Sequence, residues 1–314
     1  MDRVNYSAEY GGELADHLPM ARSALRRMGA SAERIEDFTR TYVAEKQLRP
    51  LAAGDPELVA REAMVRRLAA DGRGVVLREE LRSLAGGIGA GAFHALIRVA
   101  YGLADGDDAE IAAGLVYWRH AWVDLGSAEH VEADAEPFDA SAALLRAQSL
   151  LAGVPARIGR RGLIADRMAA IAAEPEFEPA CGRPRFDADS VGRLAGVTAR
   201  AFAATSDFTL LHAMTATHAL RVVLPFADDA DSLLQPLWRA YVAAYASAGT
   251  PAIPEDRTFA ADVARVPAWP DVLAAAVASD DEHDVKAAFT AWSQDGVYDD
   301  PIYRVAAARY LRLL

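Results

Sequence analysis

Alanine, leucine and arginine fill nearly every window of this chain, and runs that alternate Val, Ile, Thr or aromatic residues with polar ones are scarce. Small or unbranched side chains lose little freedom in a helix, and the alternation a half-buried strand needs is missing. The pattern therefore predicts an all-α protein with no convincing strand. A first helix is expected over 18–28, with Asp16 as N-cap, Pro19 in the first turn and Gly29 as the C-cap glycine. Ser31 opens a second helix, closed by Leu48-Arg49-Pro50. Further periodic segments fall near 56–70, 77–85, 91–103, 109–125, 139–151, 160–173, 187–204, 208–224, 229–248, 270–278, 281–293 and 300–313, each punctuated by Gly, Pro or Asp/Asn-type turn chemistry.

Two stretches read as surface connections: the acidic 129–139 and the segment 174–187, which carries Pro175, Pro179 and Pro184. A length of 314 residues allows two domains, and either stretch is a possible divide. No period of the 20–50 residues typical of solenoids repeats, and the chain is read as one compact multi-helix domain over 1–314.

Charge narrows the partners. With 33 Lys+Arg against 45 Asp+Glu the net charge is −12, which would repel nucleic acid and an anionic membrane surface. No apolar run approaches the roughly 20 residues of a membrane-spanning helix. A chain beginning Met1-Asp2-Arg3-Val4-Asn5-Tyr6 shows no signal-peptide pattern. The single cysteine, Cys181, has no metal-type partner nearby and fits a reducing, cytoplasmic setting.

Gly86-Gly87-Ile88-Gly89-Ala90-Gly91 superficially resembles a dinucleotide loop, but that fingerprint needs a preceding strand, and 79–85 reads as helix. A close helix–helix contact through small residues is the better reading. There is no P-loop, no Gly-x-Ser-x-Gly elbow and no His-Glu-x-x-His.

The seven histidines are more informative. His130 falls in the acidic connection and is expected to be solvated, and His120, among Tyr117, Trp118 and Trp122, reads as a packed core histidine. His17, His94, His212, His218 and His283 occur in apolar surroundings near helix starts, where imidazoles can converge on an interior metal, although a histidine in such a place is more often a packed structural residue, and several together do not reverse that. Only two lysines, Lys46 and Lys286, stand against 31 arginines. A buried amine can lose its proton and act as base, nucleophile or carbamate precursor, which a guanidinium cannot. Lys286 lies three residues after His283, on one helix face; spacing alone favours a snorkelling surface lysine beside the acidic run 280–284.

Several segments together resemble the questin oxidase-like family: Asp16-His17-Leu18-Pro19-Met20 with Ala24-Leu25 and Gly29-Ala30, Gly91 to Gly102, Leu211-His212-Ala213-Met214-Thr215 leading to Ala219-Leu220-Arg221, and Asp281 to Lys286. The resemblance runs from residue 17 nearly to the C-terminus and implies a compact all-α array around a central metal and substrate cavity. It further implies oxygen-dependent cleavage of a polycyclic aromatic ketone or quinone, Baeyer–Villiger-like in outcome, at a non-heme iron. The implied ligands are His17, His94, His212, His283 and a carboxylated Lys286. An aromatic small molecule and O2 are the implied partners, with NADPH as a candidate external reductant.

The chemistry is coherent. Imidazole suits iron, a carbamate supplies an oxygen anion, and five protein ligands leave one octahedral position open. His218 is six residues from His212, 240° around the helix, and is expected beside the metal or in the substrate pocket. Arg98 and Tyr101, one and two turns from His94, are candidates to hydrogen-bond a phenolate or quinone oxygen. Two other readings stand beside this one: a metal-dependent phosphohydrolase suggested by His283-Asp284, and a metal-free helical binding protein.

Overall fold

In a computed structural model, which describes residues 4–127 and 136–314, short polar side chains open the helices. Ser31, Asp55, Asp107, Asp139, Asp207 and Asp281 each accept hydrogen bonds from first-turn amides, starting the helices Ala32–Lys46, Pro56–Asp71, Asp108–His120, Ala140–Leu151, Phe208–Val223 and Glu282–Tyr298. Each such cap typically contributes about 1 kcal/mol. The all-α expectation holds: 17 α-helices form the described structure. One antiparallel hairpin departs from it, pairing Glu9–Tyr10 with Leu14–Ala15 across a turn in which Gly11 and Gly12 both take positive φ. Two residues per strand carry no alternation that a sequence could display.

Other expectations need adjusting. Asp16 lies two residues before the helix Leu18–Arg27, whose N-cap is His17; its carboxylate still accepts the Leu18 amide at 2.9 Å. The helix expected over 160–173 begins only at Ile164, after Gly162 with its positive φ, and a separate short helix, Val154–Ile158, precedes it. The proline-rich 174–187 stretch is not a plain surface connection, because the helix Phe177–Cys181 buries Phe177, Ala180 and Cys181, and Trp238 donates to the Cys181 carbonyl at 2.7 Å. Proline interrupts helices without deciding exposure. The glycines at 86–91 do sit against other helices, and they also admit aromatic rings: Gly89 meets Met168 and Ala240, a Cβ on Gly87 would stand 2.3 Å from the Trp122 ring, and one on Gly91 2.5 Å from the Tyr117 hydroxyl.

Buried apolar residues from Ala8 to Ala308 make one contiguous cluster. Four helices within it form a ring: Leu18–Arg27 packs on His94–Asp105, that helix on Phe208–Val223, the third on Glu282–Tyr298, and the fourth back on the first. His94–Asp105 is fixed from outside by Asp108–His120. Gly102 and Gly114 let the two backbones touch, since a Cβ at either would lie within 2.8 Å of a neighbouring main-chain nitrogen. Among the described residues no helix is long and apolar enough to cross a membrane.

Candidate metal centre

Each helix of the ring presents a histidine at or near its N-terminal end. His17 is the N-cap of the first, His94 the first residue of the second, His283 the second residue of the fourth, and His212 lies one turn into the third. The four rings meet. Centroids of His17 and His94 are 4.5 Å apart, His17 and His283 4.7 Å, and His94 and His212 4.6 Å. Nε2 of His17 lies 2.6 Å from Nε2 of His94. Two nitrogens at right angles on one ion, each about 2.1 Å from it, would be about 3 Å apart, so the pair is set close to chelating distance.

Three of the rings are aimed by their outer nitrogens. Nδ1 of His94 bonds the Gly91 carbonyl, Nδ1 of His212 the Phe208 carbonyl at 2.7 Å, and Nδ1 of His283 the Asp281 carboxylate at 3.1 Å. Holding Nδ1 from outside fixes the tautomer and leaves Nε2 as the inward lone pair, the arrangement that orients metal-ligating histidines. His17 differs: its Nδ1 finds only Glu282 Oε1, at 3.7 Å, too long for a hydrogen bond.

Buried polar atoms here have no protein partner: His17 Nδ1, His212 Nε2, His283 Nε2 and Lys286 Nζ. An unsatisfied buried group costs about 1–3 kcal/mol, so a group bound among these four would recover part of that cost. Burial holds His17, His94 and His212 well below the ordinary histidine range, and the charge of Lys286 depresses each further. Neutral imidazole is the metal-binding form. Lys286, only 1% exposed, is brought down by burial to about 7, so much of it is neutral amine near physiological pH. The surface-lysine alternative is thereby removed. Ligand atoms of His17, His94 and His212 lie within 4.8 Å of one another, as do those of His17, Glu282 and His283. The residues present therefore fit a nitrogen-rich cation site.

The cluster faces a cavity of about 660 Å³. His17, His94 and His283 are on its wall, and His212 is reached through Phe208, whose ring lies 4.6 Å from His212 and 4.7 Å from His283. Leu14, Trp122 and Phe208, three large apolar side chains left exposed, all line this cavity.

Other sequence expectations separate from the cluster. Arg98 is buried and pairs with Glu110 at 2.8 Å, beside a different hollow that includes Asp16 and Arg61. His218 bonds Ser293 at 3.1 Å and packs with Tyr101 and Phe289. None of Arg98, Tyr101 and His218 lines the histidine cavity. They lie one or more turns in from the helix ends at which it opens, and a turn advances about 5.4 Å. His120 is not a core histidine: its side chain is 74% exposed at the cavity rim, 4.0 Å from Glu9. His130 lies outside the described residues. Asp284 turns to the Ser279 hydroxyl at 2.7 Å and joins neither group of convergent ligand atoms, which removes the acid that the phosphohydrolase reading needs. Sequence reasoning missed Glu282, a buried carboxylate that also meets Lys46 at 3.3 Å. Both lysines of the chain thus stand at this site, a coincidence their scarcity could have flagged.

Residues 61–291, well over half of the chain, match the family described as questin oxidase-like. The match includes His94, His212, His283 and Lys286 and leaves out His17. No curated protein matches the chain.

Proposed function

As the chain belongs to the questin oxidase-like family, we propose that it is an oxidoreductase acting with dioxygen on a polycyclic aromatic ketone or quinone of polyketide type, at a non-heme iron held by His17, His94, His212, His283 and a carboxylated Lys286. The observation that carries this reading is the set of buried, unpartnered nitrogens converging beside an aromatic-walled cavity. Bound iron supplies the one-electron chemistry by which dioxygen can react with a closed-shell aromatic molecule.

The protein's own residues do the rest. Hydrogen bonds at Nδ1 of His94, His212 and His283 keep three Nε2 lone pairs directed inward without reorganisation. Burial keeps the Lys286 amine able to add carbon dioxide: its lone pair forms the N–C bond, a proton leaves, and the carbamate offers an oxygen anion to the cation. Phe208 and Trp122 offer flat apolar surface on which a fused-ring substrate stacks.

Elemental analysis of purified protein together with oxygen uptake on an anthraquinone-type substrate tests the reading, run with and without NADPH to reveal a need for reductant. Stoichiometric iron and substrate-dependent uptake are expected. Protein that holds no iron after reconstitution, or that consumes oxygen equally well without it, overturns the proposal.

A further inference from the structure

The cavity wall carries two permanent cations, Lys46 and Arg167. Lys46 is already matched by Glu282 at 3.3 Å. Arg167 is not matched. Its terminal nitrogens donate to neutral oxygens, the Gly162 carbonyl at 2.8 Å and the Thr209 hydroxyl at 3.4 Å, and its buried Nε has no partner. Among the described residues no carboxylate oxygen lies within 4.0 Å of this guanidinium. The two neighbouring acids are otherwise engaged: Asp166 accepts the Leu163 amide at 3.1 Å, and Asp207 caps Phe208–Val223 through Thr209 and Leu210. In a protein of net charge −12, whose other arginines repeatedly pair with acids, a cation left unpaired on the wall of a cavity stands out.

Its position is equally specific. Arg167 is tied to Thr209, the residue after Phe208, and the Phe208 ring touches both His212 and His283. A flat ligand stacked on Phe208 therefore has the histidine cluster along one side and the guanidinium near another. A guanidinium offers planar, forked donors that match an anionic oxygen group, and such charge-assisted bonds are about twice as strong as neutral ones.

We infer that Arg167 is the docking cation of this cavity and that the chain selects aromatic substrates bearing an anionic oxygen, a carboxylate or an ionised phenol. This specificity rests on the proposed aromatic substrate but not on the iron. It makes Arg167 a substrate-binding residue that orients the ring system from the side of the cavity occupied by the Ile164–Ala172 helix.

Equilibrium titration of the full chain tests the inference with three probes: 9,10-anthraquinone-2-carboxylate, 2-hydroxyanthraquinone above its phenol pKa, and neutral 2-hydroxymethylanthraquinone. Titrations are run on metal-free and iron-loaded protein. Wild type should bind at least one anionic probe more tightly than the neutral one. Arg167→Gln should weaken that probe about ten- to hundredfold while moving the neutral probe less than about threefold. Arg167→Lys, which keeps the charge and loses the fork, should fall between. The anion that shows the selective loss identifies the group. Equal weakening of all three probes, no weakening of either anion, or no preference for an anion in wild type overturns the inference. Selective loss in protein that holds no iron keeps the docking role and defeats only the iron reading; iron and oxygen uptake with no selective loss does the reverse.

Discussion

Two buried polar clusters sit back to back in this protein and share the same helices. Asp16 precedes His17, and Arg98 lies one turn after His94. Yet Asp16, Arg61, Arg98 and Glu110 form a matched set: Arg98 pairs with Glu110 at 2.8 Å, Arg61 with Glu57 and with the Tyr6 carbonyl at 3.0 Å, and Asp16 with the Leu18 amide at 2.9 Å. The histidine cluster has the opposite character. The protonated form of its neighbour Lys286 repels protons from it, its one bonded carboxylate, Asp281, holds only the outer nitrogen of His283, and Nε2 of His212 and His283 and Nζ of Lys286 lack protein partners. The difference lies in charge rather than in full satisfaction, since Arg61 Nε and Arg98 Nη1 also lack partners: acids meet bases in the first cluster, whereas the second gathers nitrogens with no inward anion to match them.

The largest effect expected from that contrast is on the unsatisfied side. His94→Ala or His212→Ala should abolish iron retention and lower turnover by more than about a hundredfold, while circular dichroism shows an unchanged helical protein. Retained iron in both variants would erase the distinction between the clusters. Lys286→Arg should expel the metal as well, since a guanidinium keeps its charge at any working pH. Lys286→Ala leaves room for a small carboxylate, so acetate or formate should restore part of the metal binding to Ala and none to Arg, as read by elemental analysis.

On the matched side the expected loss is in stability. Arg98→Ala removes a buried guanidinium that meets Glu110 at 2.8 Å and should cost about 1.5–3 kcal/mol in denaturant unfolding, with iron still bound by whatever protein is folded. A smaller effect separates the clusters by pH. Burial lowers Lys286 to about 7 from 10.5, so between those values the unfolded chain holds a proton that the folded chain has released. The metal-free protein should therefore gain stability as pH rises through that window, by up to about 1.4 kcal/mol per unit. Lys286→Met should flatten that slope in thermal melts at pH 7, 8 and 9; an equal slope in both proteins would show that the amine is not the source. Smallest of all, His120→Ala at the exposed rim should change stability by no more than about 0.5 kcal/mol.

How much of this could be read from the residues follows from the range of the interactions. Helices announce themselves locally, through Asp207 before Phe208 or Asp281 before Glu282, and those boundaries are legible to within a residue or two. Side-chain direction at a helix end is less so: His120 follows the buried Tyr117 and Trp118, yet two steps of 100° carry it from the Trp118 face to solvent. The prolines at 175, 179 and 184 signalled interrupted helix correctly and surface incorrectly, because Phe177 and Cys181 pack where only the tertiary fold can place them. The cavity walls were illegible for the same reason, being assembled from the 9–15 hairpin, the start of the Ile164–Ala172 helix with the two residues before it, and Phe208. Glu282 sat in plain view within an acidic run, but nothing in the sequence says which acid of that run turns inward.

The ring of four helices joins His17 to His283 across almost the whole length of the chain. Such distant segments are slow to find each other, and during synthesis the first waits while some 260 residues are still being added. No nascent chain can assemble all four imidazoles before the Glu282–Tyr298 helix has left the ribosome. The complete set is therefore among the last features of the fold to form, so protein made without what the site binds would be helical and idle, and later supply could still activate it.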